Sequence, residues 1–360
     1  MPISAVDTIS LAFQHTKRQL AQPFRFWQWT RLAFVGLLAG EAGSGGCNLP
    51  SNGFKMPQQA GGPKHLLDSP FGSMDPALLA GTIAVLIVAG LVLWVVLMYI
   101  SSVMRFILFD SVLAKECHIR RGWSRRQGAG WKYFLWQIGF GLVTLMVFAV
   151  LIGIPALVAF AAGWFTAPRD HIAGLVLGGF ALLMVFMALL LTVVVIHVLT
   201  KDFVVPQMAL EGIGAVEGWR RLWPMIQAEK GGYAAYLGLK VVLAIGAGIV
   251  IAIVSVIVAL VIALPAVLLG VVAAIMGKSA GLTWDVGTIT VAIVVGCVLV
   301  AILLYLMALI AVPAIVFFPA YSIYFFAARY RALAVALYPA PPAPLLPPDG
   351  SPPEPGLLPA

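Results

Sequence analysis

Residues 105–132, RFILFDSVLAKECHIRRGWSRRQGAGWK, decide how the chain is built. The segment leaves one long apolar run, carries seven Lys/Arg and leads into a second apolar run at Tyr133. Residues 202–240 repeat the arrangement between two further apolar runs. Sliding one segment over the other with a single-residue gap sets Phe106 on Phe203 and Gly122-Trp123 on Gly218-Trp219, with Arg125-Arg126 close to Arg220-Arg221. Arginine and lysine accumulate on the cytoplasmic ends of membrane helices, and tryptophan favours the headgroup layer. Each segment therefore reads as a basic, Trp-bearing connector between membrane spans.

The rest of the composition agrees. Hydrophobic residues make up 62% of the 360, charged residues 10%, and the mean hydropathy is +1.02, far from a soluble domain. Apolar runs at 77–104, 133–167, 172–200, 241–277 and 288–328 each exceed the roughly 20 helical residues that cross a hydrocarbon core. A backbone in lipid must satisfy its own hydrogen bonds, so the fold class is all-α, a polytopic bundle with interfacial amphipathic helices. The expected spans are six, at about 29–46, 77–104, 133–163, 172–200, 241–264 and 289–325.

The first of these is short in apolar residues, and charge placement argues for it. If it crosses, 18 Lys/Arg fall on one side of the membrane and four on the other, the bias expected of a cytoplasmic face. Both termini are then cytoplasmic and the protein belongs in the cytoplasmic (inner) membrane. A signal peptide at 31–46 would need too long a basic leader. Cys47, Cys117 and Cys297 fall at different depths, which gives no disulfide framework. The net charge of +8 is accounted for by anionic headgroups and calls for no nucleic acid.

Residues 4–20 form an amphipathic pattern with Val6, Ile9, Phe13 and Leu20 on one face, started by Ser4 and Asp7 as a capping box. Residues 1–28 thus read as an interfacial helix followed by an aromatic collar of Phe24, Phe26 and Trp27, with Trp29 just beyond. Residues 41–75 are the expected extracytoplasmic loop. From 339 to 360, ten of 22 residues are proline, which marks a disordered or polyproline II tail. Pro155, Pro265, Pro313 and Pro319 give the long spans places to bend.

Aromatic collars at Trp29, Tyr133 and Tyr233 recur about every 100 residues, each preceded by a cytoplasmic amphipathic segment. Such units would be parallel repeats about an axis along the membrane normal. The Phe203-x-x-Pro206-x-Met208, Gly218-Trp219 and Tyr233-x-x-Tyr236 patterns resemble those of a loose family of prokaryotic six-span membrane proteins, similar to the membrane domain attached to some glycerophosphodiester phosphodiesterases. The resemblance spans about residues 5–330 and carries no catalytic residue. It implies a membrane module of envelope or lipid physiology, not the phosphodiesterase reaction.

No HExxH, Walker-type loop, GxSxG or paired CxxC is present, so neither a catalytic residue nor a metal, cofactor or enzyme activity is expected. His118 lies in a basic connector, and His197, near the end of a span, would need a partner to hold a haem or chlorin. The deep polar residues, Thr144, Thr192 and Ser255 among them, are neutral. What remains is a non-enzymatic structural or accessory membrane protein that binds lipid, a larger membrane complex or its own copies. Trp123, Arg125, Arg126, Trp219, Arg220 and Arg221 are the docking candidates, although interfacial anchoring alone would also explain them. Arg105 and Asp202, opposite in charge at matching positions, are expected to form a structural ion pair. The alternative is a transporter or permease for a lipid-like or apolar substrate, with Thr144, Thr192 or Ser255 lining its cavity.

Overall fold

The computed structural model describes residues 4–22, 24–41, 76–164, 171–279 and 286–338. All but the first residue of the expected loop at 41–75, Cys47 included, residues 165–170 and the expected proline tail lie outside the described residues. Among those described, every regular element is helical: α1 (Asp7–Ala21), α2 (Phe26–Leu38), α3 (Pro76–Ala114), α4 (Ile119–Ala161), α5 (Ile172–Leu199), a π-turn (Thr200–Val204), α6 (Val205–Glu211), α7 (Ala215–Ala228), α8 (Lys230–Ser279), α9 (Val286–Ala327) and α10 (Arg331–Leu337).

Five helical stretches are long and apolar enough to cross a membrane: Ala80–Ala114, Ile119–Ala161, Ile172–Glu211, Lys230–Gly277 and Gly287–Ala327. They account for five of the six expected spans. The remaining one, 29–46, is described only as far as Glu41. Its helical part, α2, has 13 residues and rises about 20 Å, less than the ~30 Å of hydrocarbon. It stops at Gly40, whose φ of +76° suits glycine, and Glu41 turns back into the protein.

The hydrophobic core lies at one end of these helices. On α3 the side chains from Val85 to Leu93 are exposed and burial begins at Ser102; on α5 it begins at Leu199, and on α9 at Ala311. On α8 the order is reversed, with Tyr233, Tyr236 and Lys240 buried and Val241 exposed. A helix that is apolar all round and uncovered has hydrocarbon as its natural solvent. The exposed lengths are therefore the lipid-facing part, and the buried ends join α1, α2, α6, α7 and α10 in a cap.

Both connectors prove to be helical elbows. α3 runs unbroken past Arg105 and ends at Lys115, in the left-handed conformation (φ 59°). α5 continues through the π-turn into α6 and ends at Gly212, also left-handed (φ 68°). Such residues close helices by turning the chain away from the helix axis. After each stop a glycine lets the next helix approach: a Cβ on Gly122 would lie 3.1 Å from Ile107, and one on Gly218 2.7 Å from Val204. Phe106 meets Tyr133 edge-on at 6.0 Å (85°), and Phe203 meets Tyr233 edge-on at 5.3 Å (83°).

α1 shows how the cap closes. Ser4 and Asp7 form the expected box, Ser4 Oγ donating to the Asp7 carboxylate at 2.6 Å and Asp7 N–H to Ser4 Oγ at 3.1 Å. The helix then buries Thr8, Ala12, His15 and Gln19, while Val6 and Phe13 of the apolar face stay exposed. The reason lies in α3, whose last four carbonyls have no intrahelical donor. His15 donates to the Val112 carbonyl at 3.0 Å and Gln19 to that of Ser111 at 3.0 Å. From α2, Gln28 donates to Lys115 at 2.8 Å and Arg31 to Cys117 at 3.3 Å.

Candidate functional site

Charged side chains gather where the exposed apolar helices enter the cap. Arg105 of α3, Asp202 of the π-turn, Lys240 of α8 and Glu41 beyond α2 are buried there, with Lys201 half-buried beside them. Isolated charges in such surroundings are costly, and each is matched. Lys240 Nζ donates to Asp202 Oδ2, which also accepts from Tyr236 O–H at 3.0 Å. Lys201 donates to Glu41. Arg105 donates to the Tyr133 hydroxyl and, at 3.0 Å, to the Ala39 carbonyl, at the end of α2 where the helix dipole is negative.

The direct Arg105–Asp202 pair is therefore replaced by a relay. The two residues line one small cavity of about 30 Å³ together with Glu41 and Lys201, but each takes a different partner. Lys240 comes from the next helix to reach Asp202, and the end of α2 reaches Arg105; neither approach is visible in the spacing within one connector. Glu41 and Lys240 were missed for that reason, since one reads as a loop start and the other as the end of a collar. The available signal was that each is the first ionisable residue beyond an apolar run.

A larger cleft of about 470 Å³ opens over the start of α4, lined by Ile107, Asp110, Glu116, Arg121, Arg125 and Leu210 among others. Of the six docking candidates, Arg125 and Arg126 reach it. Arg126 is held by Asp110 through two hydrogen bonds, Nε to Oδ2 at 2.6 Å and Nη2 to Oδ1 at 2.7 Å, and donates to the Ala209 carbonyl. Trp123 packs edge-on against Tyr99 at 6.2 Å, and Trp219 Nε1 donates to Thr200 Oγ1 at 2.9 Å. On α7, Arg220 pairs with Glu217 at 2.8 Å, and Arg221 pairs with Glu211 and Glu217. Three of the six, Arg126, Trp123 and Trp219, thus hold the elbows together. Arg121, which was not singled out in the sequence, joins Arg125 on the cleft.

His197 borders a cavity of about 170 Å³ with Met98, Tyr133, Trp136, Gln137, Phe140 and Thr200. Among the described residues no group of three or more His, Cys, Asp or Glu is placed to hold a metal ion. Burial pushes the Cys117 thiol up from its ordinary value, which keeps it protonated and unreactive. Thr144, Thr192 and Ser255 line none of the cavities at the junction, on α4 or beside His197.

Compared with known proteins, residues 3–336 match the model of a family of unknown function, DUF7544. No curated protein and no solved structure matches, and the likeness to the membrane domain of glycerophosphodiester phosphodiesterases is not among these findings.

Proposed function

The chain belongs to the DUF7544 family of unknown function, and from that premise we propose a non-enzymatic integral membrane protein whose cap is a docking platform on the cytoplasmic face. The carrying observation is that the hydrophobic core lies at one end of the apolar helices, the end where both basic elbows lie. Basic residues belong on the cytoplasmic side, so the cap faces the cell interior and offers its elbows to lipid or to a larger membrane complex. Both elbows are read as copies of one unit: matched left-handed stops, matched glycine contacts and matched Phe–Tyr pairs support this. The first and last helices, α1 and α10, both join the cap, which supports reading both termini as cytoplasmic. The transporter alternative needs a cavity at Thr144, Thr192 or Ser255.

Single cysteines introduced by Arg120→Cys and Arg220→Cys, in a chain whose three native cysteines are replaced by serine, test the reading. Both should react with a membrane-impermeant maleimide only when the cytoplasmic face is opened. Labelling of the two from opposite faces would overturn it.

A further inference from the structure

We propose that the cleft over the start of α4 holds the phosphate of an anionic membrane lipid, with Arg121 and Arg125 as its cationic ligands. The cleft's 470 Å³ falls within the roughly 300–1,000 Å³ of ligand-sized sites. Its walls are mostly apolar, from Ile107 and Leu113 on one side to Leu210 and Ala336 on the other, and its charge is uneven. Asp110 is occupied by Arg126, and Glu116 lies 3.3 Å from His118. Arg121 and Arg125, by contrast, make no ion pair or side-chain hydrogen bond among the described residues. Both sit in the first turns of a 43-residue helix that starts without an acidic residue or a side-chain cap, so they face the positive end of its dipole. A bound phosphate would relieve that repulsion and accept from both guanidinium groups.

The surroundings point to a lipid as the source of the phosphate. Phe26 and Trp27 at the start of α2 are exposed, Trp27 to 65%, and Gln28 and Arg31 tie that start to the same elbow, at Lys115 and Cys117. Farther along α4, Trp131 is 51% exposed, as suits a residue in the headgroup layer. Arg125 lies six residues before it, about 9 Å of helix rise, where an arginine side chain reaches the phosphates while the apolar walls receive the glycerol backbone. A soluble phosphate compound would have no use for those walls. The inference rests on the cap lying against the inner leaflet, the reading proposed above.

The test uses the full chain purified in mild detergent and supplied with dioleoylphosphatidylglycerol, dioleoylphosphatidylcholine or inorganic phosphate. Retained lipid is counted by native mass spectrometry, and thermal midpoints are recorded in parallel. The native chain should retain the anionic lipid in preference to the zwitterionic one. R121Q/R125Q should lose roughly tenfold in that retention, while K17Q, which removes an exposed charge on α1, should not. R121K/R125K keeps the charge and should keep most of the lipid; should R121Q/R125Q fail to fold in phosphatidylcholine, R125Q alone read against R125K decides. Equal retention by the native and glutamine forms overturns the proposal, as does stabilisation by inorganic phosphate as large as that by the anionic lipid. Such a failure with Arg120→Cys still labelled from the cytoplasmic face would sink the lipid site and leave the docking platform standing.

Discussion

Arg126 closes on Asp110 in a two-pronged hydrogen bond of 2.6 and 2.7 Å and, with its remaining nitrogen, holds the Ala209 carbonyl at the end of α6. One side chain thus binds the first elbow to itself and to the second. Its exposure is 12%, so removing the carboxylate leaves a guanidinium with little water. Asp110→Asn is expected to lower stability by about 2 kcal/mol, read as a drop in the thermal midpoint of the full chain in detergent. A midpoint unchanged from the native value would mean that water already reaches Arg126.

The second elbow lacks this clasp. Gln207 follows Asp202 at the distance by which Asp110 follows Arg105, and Leu222 follows Gly218 as Arg126 follows Gly122. Gln207 is wholly buried, and neither its amide oxygen nor its nitrogen has a hydrogen-bond partner among the described residues. An unsatisfied buried amide is a cost that an apolar side chain of similar size removes. Gln207→Leu should raise stability by about 1 kcal/mol in the same melting assay. A lower midpoint would mean that the amide has a partner in the working protein.

Glycines divide by what faces them. A Cβ on Gly130 would meet Val103 at 2.6 Å from Cγ2 and 3.1 Å from the backbone Cα, whereas Gly128, two residues earlier, has nothing within 4 Å. Gly130→Ala must push two helices apart and should cost about 1–3 kcal/mol. Gly128→Ala gains helix propensity without a clash and should stabilise by roughly 0.5–1 kcal/mol. Melting curves of the two variants should move in opposite directions; a shared direction would mean that α3 and α4 pack differently there.

Much of this architecture can be read from periodicity and charge because lipid imposes them. Five apolar stretches, the elbows after Arg105 and Asp202 and the Ser4–Asp7 start of α1 all follow from local composition. What could not be read is how the elbows meet. Glu41 is a loop residue by its neighbours Gly40 and Ala42, yet Lys201, 160 positions away, draws it inward. Nor could it be read that α1 divides its apolar face, burying Leu20 and leaving Val6 and Phe13 exposed, because the helix turns donors toward the carbonyl end of α3. Likewise, Trp123, Trp219 and Arg126 look like surface anchors in sequence and become clasps only once the chain has folded.

Two ionisable groups outside the spans should give the cap a two-step acid response. Burial lowers the His15 pKa from its ordinary value; the Val112 carbonyl opposes that shift, and Lys115 and Arg18 add to it. The neutral ring donates to Val112 and accepts from Tyr324 at 3.1 Å. A histidine held neutral in the fold contributes fully above its unfolded value, 6.5, and loses that contribution as pH falls toward the lower folded one. The bond to Arg329, bidentate at 2.7 and 2.6 Å, holds the Glu229 carboxyl below its ordinary 4.5. Its contribution, screened by water and under about 1 kcal/mol, fades only below that pH. Thermal midpoints should fall first as pH drops below 6.5, a step absent in His15→Gln, and again below pH 4.5, a step absent in Glu229→Gln. Persistence of the first step in His15→Gln would show that another group governs it.

The junction can be apportioned by paired substitutions. Asp202 accepts from Lys240 and Tyr236, while Arg105 is served by Tyr133 and Ala39. Removing one member of a buried pair strands the other, so the second removal should cost little. Asp202→Asn and Lys240→Met are expected to show a coupling above about 1 kcal/mol. The cycle of Asp202→Asn with Arg105→Met, acting across the small cavity and not through a shared hydrogen bond, should show less than half of that. A reversed order, with Arg105 the stronger partner of Asp202, would mean that the side chains exchange partners in the membrane and that Lys240 is free to serve Glu41 instead.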